Sequence, residues 1–290
     1  MPEGRIIKAL SGYYYVLDGP SVWQCRARGL FKKKGITPLV GDWVEYDQES
    51  NEEGYIQSIR ERSTELIRPP IANVDQAVLV FSLVQPEMSH LLLDKFLVHT
   101  ESAGLRSIIC LSKADLAEQE GTDEIEQLYR RIGYDVLVTS KYSDRGIAKL
   151  RQMLQGHITV LAGQSGVGKS TLLNALFPGS NLQTGEVSER LRRGKHTTRH
   201  VELIAVEGGF VADTPGFSQL DFFDIEPEEL SHYYVEMKTY IPDCKFRGCT
   251  HLSEPKCAVR EALEEGAISP SRYESYKQFI QEIKDKKRRY

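Results

Sequence analysis

The 290-residue sequence predicts a multidomain α/β protein, and three observations carry that prediction. Residues 1–68 hold short β-branched and aromatic runs separated by glycine turns, the pattern of a small β-barrel. Residues 69–223 alternate strand-like and helix-like segments around one glycine-rich loop, the pattern of a parallel sheet covered by helices. Residues 224–290 combine helical spacing with a compact group of three cysteines and a histidine.

Composition sets the outer limits. Hydrophobic residues make up 40% of the chain and charged residues 27%, the balance of a folded protein rather than a disordered one. No apolar run approaches the roughly 20 residues of a membrane-spanning helix. The first residues, Met1-Pro2-Glu3-Gly4-Arg5, lack the apolar core of a secretion signal, so a cytoplasmic protein is expected. Five cysteines in a reducing compartment favour metal ligation over disulfides. A net charge of −4 gives no whole-chain attraction to nucleic acid, so any such surface must be local.

In the first segment, strands are expected over residues 4–17, 21–28, 41–46 and 55–61, with turns at Asp18-Gly19-Pro20, Gly35 and Gly54. Four or five strands in so short a stretch fit an OB-fold. Lys32, Lys33 and Lys34 follow Phe31 in an expected loop. A basic patch with an aromatic neighbour suits the phosphates and unstacked bases of RNA. A solvated loop is the competing reading, because acids and bases balance across the segment. Cys25 reads as core, and Arg68-Pro69-Pro70 as a linker.

The middle segment is expected to hold strands at 76–83, 106–111 and 135–139, with helices at 91–102, 123–131 and 147–154. Ligands of such sheets gather at the carboxyl ends of the strands. One strand ends in Ser112-Lys113-Ala114-Asp115. Guanine presents N1–H and N2–H₂ side by side, and a carboxylate such as Asp115 accepts both, whereas adenine offers an acceptor at N1. The stem of Lys113 can cover the base. A second strand ends in Thr139-Ser140-Lys141, where a backbone N–H can meet the guanine O6. Cys110 reads as core.

The apolar run 158–162 leads into Gly163-Gln164-Ser165-Gly166-Val167-Gly168-Lys169-Ser170, which fits G-x-x-x-x-G-K-S, and a helical pattern beginning with Thr171 follows. Glycines let successive N–H groups turn toward one anion, and the helix adds its positive end. Lys169 is expected on the β- and γ-phosphates as the main catalytic charge, and Ser170 on Mg²⁺. Further on, 190–200 is polar and basic, with Arg190, Arg192 and Arg193 as candidate RNA contacts. This loop lies where a switch would supply a threonine to Mg²⁺; Thr198 is favoured and Thr197 is the alternative. A strand then ends in Asp213-Thr214-Pro215-Gly216, with Asp213 expected on Mg²⁺ and the Gly216 N–H on the γ-phosphate. Phe217 stands where Ras-like enzymes carry a catalytic glutamine. His196 is the candidate for positioning the attacking water; contact with RNA or solvent is the competing reading.

Near the C-terminus, Cys244, Cys249, His251 and Cys257 form a C-x₄-C-x-H-x₅-C pattern. Three thiolates and one imidazole complete a tetrahedral Zn²⁺ shell with no position left for water, so the metal is expected to be structural. A last helix is expected over 271–287, with Tyr276, Phe279, Ile280 and Ile283 on its apolar positions.

The residues at 112–115 and 139–141 resemble the GTPase patterns N-K-x-D and S-A-K, with Ser112 in place of the usual asparagine. They precede the P-loop here, whereas in ordinary GTPases they come last. This permuted order, with a β domain before it and a Cys/His cluster after it, resembles the RsgA (YjeQ/YloQ) family over essentially the whole chain. The resemblance implies an OB-fold RNA-binding domain (1–68), a circularly permuted GTPase domain (69–223) and a zinc-binding domain (224–290). It also implies a GTPase with GTP/GDP, Mg²⁺ and one Zn²⁺ that acts in late small-subunit maturation, with the small ribosomal subunit and its rRNA as partners and a monomeric state. The competing readings are a nucleotide-sensing RNA-binding assembly chaperone with incidental hydrolysis, and a P-loop ATPase or kinase, against which Asp115 argues.

Overall fold

The computed structural model describes residues 1–33, 35–49, 52–67, 69–140, 145–176, 201–206, 208–213, 222 and 225–287. They fall into two compact units, one drawn from 1–78, 145–163 and 168–218, the other from 79–144, 164–167 and 219–290. No described helix is long and apolar enough to cross a membrane.

The first unit opens with a closed barrel. Its strands are β1 (Glu3–Leu10), β2 (Tyr13–Asp18), β3 (Ser21–Ala27), β4 (Trp43–Gln48) and β5 (Glu53–Ile59), with a one-turn helix, α1 (Gly29–Lys33), after β3. The order β1-β2-β3-β5-β4 returns to β1 through antiparallel β1–β4 pairing, and β3–β5 is the one parallel pair among them. This is the five-stranded OB-fold closure. The expected single strand over 4–17 is in fact two, because Ser11 and Gly12 both take left-handed backbone (φ 51° and 83°) and reverse the chain. Ile6, Val16, Cys25, Val44, Tyr46 and Ile56 fill the barrel at 2% exposure or less.

Of the expected linker Arg68-Pro69-Pro70, Arg68 lies outside the described residues and Pro70 is part of a paired strand. β6 (Glu65–Ile67) and β7 (Pro70–Ala72) form a hairpin in register Glu65↔Ala72. Gly41 (φ 96°) packs so closely beneath β7 that a Cβ would stand 1.9 Å from the Ala72 carbonyl. Beside it the fully buried Asp42 takes two bonds from Arg62, each 2.8 Å, and one from the Leu39 N–H at 2.7 Å. The barrel and the segment leaving it are thereby joined by a satisfied, forked ion pair.

Further along come β8 (Gln76–Ser82), α2 (His90–Ser102), β9 (Arg106–Ser112), α3 (Gln119–Ile132), β10 (Asp135–Val138), α4 (Arg145–Leu154), β11 (Ile158–Ala162), α5 (Lys169–Leu176), β12 (Glu202–Val206) and β13 (Gly209–Asp213). In the first unit β11 pairs parallel with β13, from Ile158↔Phe210 to Val160↔Ala212. β12 departs from the expected parallel sheet. Only two residues separate it from β13, too few for a crossover, so the pair is antiparallel. β12 then meets β1 at Lys8↔Glu202, so the barrel and this sheet are continuous. In the second unit β9 lies between β10 and β8, and β9–β10 is parallel.

The second unit also holds the C-terminal helices α6 (Ala258–Glu264) and α7 (Pro270–Lys287). Phe279, Ile280, Ile283 and Tyr276 of α7 pack with Val98 of α2, Leu230, Met237 and Ile268 in one core. Within it Arg272 is 0% exposed. Its Nη1 donates to Asp94 Oδ1 (2.6 Å) and its Nε and Nη2 to Glu236 (2.7 and 3.1 Å), while Tyr234 stacks 4.4 Å from the guanidinium. Burial alone would lower its pKa, but Asp94 and Glu236 hold it well above the ordinary value. Arg272→Ala leaves two carboxylates uncompensated and is expected to cost about 3–5 kcal/mol. A lower denaturant midpoint with unchanged slope would show it; an unchanged midpoint would mean that the pair adds nothing.

Candidate nucleotide site and metal centre

All five residues of β11 are buried, which fixes the point where the glycine loop begins. Gly163, Gly166 and Gly168 have φ of 140°, 82° and 100°, a region that residues with a Cβ avoid. α5 starts at Lys169 and buries Leu172, Leu173 and Leu176 on one face, leaving its N-terminal end to the loop. Lys169 Nζ donates to the Gly163 carbonyl at 2.7 Å. Burial lowers the Lys169 pKa, so a bound polyanion would stabilise its charge. Gln164 and Ser165 are exposed on the loop, whereas Ser170 is half-buried at the first turn of α5.

The residues expected to read the base lie in the second unit. Thr139 N–H donates to the Leu111 carbonyl (2.8 Å) and Ala114 N–H to the Thr139 carbonyl (3.2 Å), so the ends of β9 and β10 adjoin. Asp115 is exposed on the short 3₁₀ turn Ala114–Leu116, and Ser140 follows β10. Ser112 is shorter than the asparagine it replaces, yet it keeps a bracing bond: its Oγ donates to the Val167 carbonyl at 2.6 Å, with the Phe81 carbonyl at 3.2 Å. Lys113, in left-handed backbone (φ 59°), donates to the carbonyls of Gly166 (2.9 Å) and Gln85. Both motif residues therefore hold residues 166–167 of the glycine loop from the same unit. Sequence spacing gives no sign of these bonds, because the partners are 53 and 55 residues apart.

Asp213 ends β13, and nothing further is described of its side chain. Lys141, Arg190, Arg192, Arg193, His196, Thr197, Thr198 and Gly216 lie outside the described residues, as does Lys34. Lys32 and Lys33 fall in α1 rather than in a loop. Phe31 is 9% exposed and packs inward, so it is not free to stack on a base. Cys25 and Cys110 are buried free thiols, each pushed up to about 11 by burial.

The metal donors do converge. Sγ of Cys244, Cys249 and Cys257 and a ring nitrogen of His251 lie within 4.8 Å of one another. His251 Nδ1 is 3.3 Å from Cys257 Sγ and 3.6 Å from Cys244 Sγ. Burial pushes the Cys257 thiol up to about 12 and raises Cys249 as well, so a cation is needed to hold thiolates there. The set fits tetrahedral Zn²⁺ with every position taken by protein. Residues outside the ligand set shape the loop. Tyr273 donates to the His251 carbonyl (2.6 Å) and Tyr276 to the Thr250 carbonyl (2.8 Å). Glu254 accepts from Thr250 Oγ1, Thr250 N, Leu252 N and Ser253 N. Burial would raise its pKa, but these bonds outweigh it and hold the carboxyl at about 2.

The Ser112-Lys113-x-Asp115 turn comes before the glycine loop, and the Cys/His cluster follows both. The fold and site thus define a circularly permuted P-loop GTPase with an N-terminal barrel and a C-terminal metal-binding region. Two family models match, one described as the RsgA N-terminal domain over residues 3–56 and one as the RsgA GTPase over residues 59–223. The "Small ribosomal subunit biogenesis GTPase RsgA" of Geobacillus kaustophilus (strain HTA426) is 58% identical over 293 residues, with 100% of both chains covered. The protein of the same name from Bacillus subtilis (strain 168) is 56% identical over 298 residues, again with both chains fully covered. Among solved structures, YloQ, "a circularly permuted GTPase", is 52% identical with a TM-score of 0.85, covering 99% of this chain and 96% of that one. YjeQ from Thermotoga maritima is 37% identical with a TM-score of 0.86, at 97% and 98% coverage. The chain belongs to the RsgA GTPase family and is a GTP hydrolase.

Proposed function

We propose that this protein acts in the late maturation of the small ribosomal subunit. It binds the subunit and its rRNA in the cytoplasm as a monomer, and the subunit stimulates its hydrolysis of GTP to GDP and phosphate. The reading rests on full-length similarity to proteins named for small-subunit biogenesis, together with the joined Ser112-Lys113-x-Asp115 turn and glycine loop. Three domains are assigned to 1–68, 69–223 and 224–290, with family matches at 3–56 and 59–223 in support.

Asp115 accepts the two guanine donors, with Ser112, Lys113, Ser140 and Lys141 completing the base site. The N–H groups of 163–171 and the Lys169 ammonium take the phosphates, and Gly216 meets the γ-phosphate. Ser170, Asp213 and Thr198 or Thr197 hold Mg²⁺, which supplies charge neutralisation between the β- and γ-phosphates. His196 positions the water. Cys244, Cys249, His251 and Cys257 hold one structural Zn²⁺. Lys32, Lys33, Lys34, Arg190, Arg192 and Arg193 contact rRNA.

The test is phosphate release from GTP and from ATP, with and without purified small subunits. GTP-selective turnover that rises at least tenfold with subunits is expected. Equal use of ATP, or no rise with subunits, would overturn the reading.

A further inference from the structure

A recess of about 290 Å³ lies in the first unit, between the barrel and the starts of β11 and β13. That volume is at the small end of ligand pockets, enough for one nucleotide-sized group. Its lining combines a cation, two aromatic rings, an imidazole and bare backbone: Arg5, Trp43, Phe210, His157, Gly208 and Gly209. The bare backbone is built in, since a Cβ on Gly209 would stand 2.2 Å from the Leu154 carbonyl and Gly208 has φ 86°.

Arg5 is the informative residue. Its guanidinium stands 4.7 Å from the Trp43 ring and 5.7 Å from that of Phe210, so the aromatic walls hold it in place. A guanidinium carries five N–H donors. Among the described residues it makes one hydrogen bond, a long one of 3.4 Å to the Gly41 carbonyl, which already accepts from Asn73 at 3.1 Å. No carboxylate among the described residues lies within ion-pair distance. The acid whose charge reaches it is Asp75, whose Oδ2 is engaged by the Ile158 N–H at 2.7 Å and stands 3.8 Å from His157 Nδ1. Trp43 is 39% exposed, an unusual state for the largest side chain, and the His157 side chain is 41% exposed at the rim. A fixed cation with unused donors beside an open aromatic face and bare glycine backbone matches the two parts of a nucleotide, phosphate and base.

We propose that this recess takes one unstacked nucleotide of a single-stranded RNA, with its base on the open part of Trp43 and its phosphate on Arg5. It deepens, and rests on, the reading of the protein as an rRNA-binding GTPase. The barrel's RNA contact then includes a pocket on the side of Trp43 and β1, besides the lysines of 32–34.

The experiment uses the full chain carrying Trp23→Phe, which leaves Trp43 as the one tryptophan. Its fluorescence is followed as ten-residue single-stranded oligoribonucleotides, a matched duplex RNA, or free AMP are added. Saturable quenching by the single strands is expected. Trp43→Ala should weaken binding of a labelled oligonucleotide by about fivefold or more, the loss of one stacked base. Arg5→Gln should weaken it and reduce the salt slope by about one. Binding of a GTP analogue serves as the control for folding. Unchanged affinity in both variants would overturn the proposal, as would AMP or duplex binding as tightly as the single strand. Subunit-stimulated GTP turnover is measured on the same wild-type sample. Stimulation without oligonucleotide binding sinks the recess alone, whereas Trp43-dependent RNA binding without stimulation sinks the ribosomal reading and leaves the recess standing.

Discussion

Lys169→Ala is expected to lower GTP turnover about 100- to 1,000-fold while leaving the folded protein intact. Between Gly163 and Ser170, Lys169 is the only charged side chain. Charge spreading over the transferred phosphoryl group therefore finds no second cation within the loop itself. The structure gives a reason for the fold to survive. The ammonium bonds the Gly163 carbonyl at 2.7 Å, and each such bond at a half-buried group is worth only about 1 kcal/mol. Burial already disfavours the lysine's charge, so its removal also relieves a desolvation cost. The check is single-turnover phosphate release beside a thermal melt. Turnover within threefold of wild type, with an unchanged melt, would remove Lys169 from the catalytic role.

Stripping Zn²⁺ with a chelator, or replacing Cys257 by serine, is expected to unfold the C-terminal region. Structural zinc in small domains has apparent binding energies of about 10–16 kcal/mol, more than the stability of most domains of that size. Cys249 and Cys257 belong to the apolar core that α7 closes, and Tyr273 and Tyr276 bond the backbone of the metal loop. Loss of the metal would thus free the loop and leave two tyrosine hydroxyls without their acceptors. One zinc per chain by elemental analysis is expected, with chelation removing the near-ultraviolet tyrosine signal and the amide protection of 244–287. A metal-free chain with full protection would refute a structural metal.

Much of the site was legible because its chemistry is local in sequence. The glycine loop, the Lys113–Asp115 turn and the zinc pattern each fall within 14 residues, and each constrains backbone or donor type strongly. The strand–helix alternation and the apolar positions of α7 were readable from period alone. What sequence did not reveal depends on distant partners. Nothing local in the sequence marks Arg272, yet it is the largest fully buried side chain among the described residues, because Asp94 and Glu236 arrive from 178 and 36 residues away. Ser112 departs from the usual asparagine of the motif, but its distance to Val167 lets a short hydroxyl do the bracing. Phe31 reads as a stacking ring only until the one-turn helix tips it inward. The antiparallel β12 was hidden by the expectation of uniform crossovers, although the two-residue gap to β13 was there to be counted.

The Arg272 cluster has a mechanical consequence. α2 carries Asp94, and three residues after it the chain enters β9, the strand that ends at Ser112. α7, which carries Arg272, also holds the zinc loop through Tyr273 and Tyr276. The Cys/His loop and the strand leading to Ser112 are thus tied through two packed helices of one unit, with a buried ion pair between them. Breaking that pair would leave buried charge uncompensated where α2 and α7 meet.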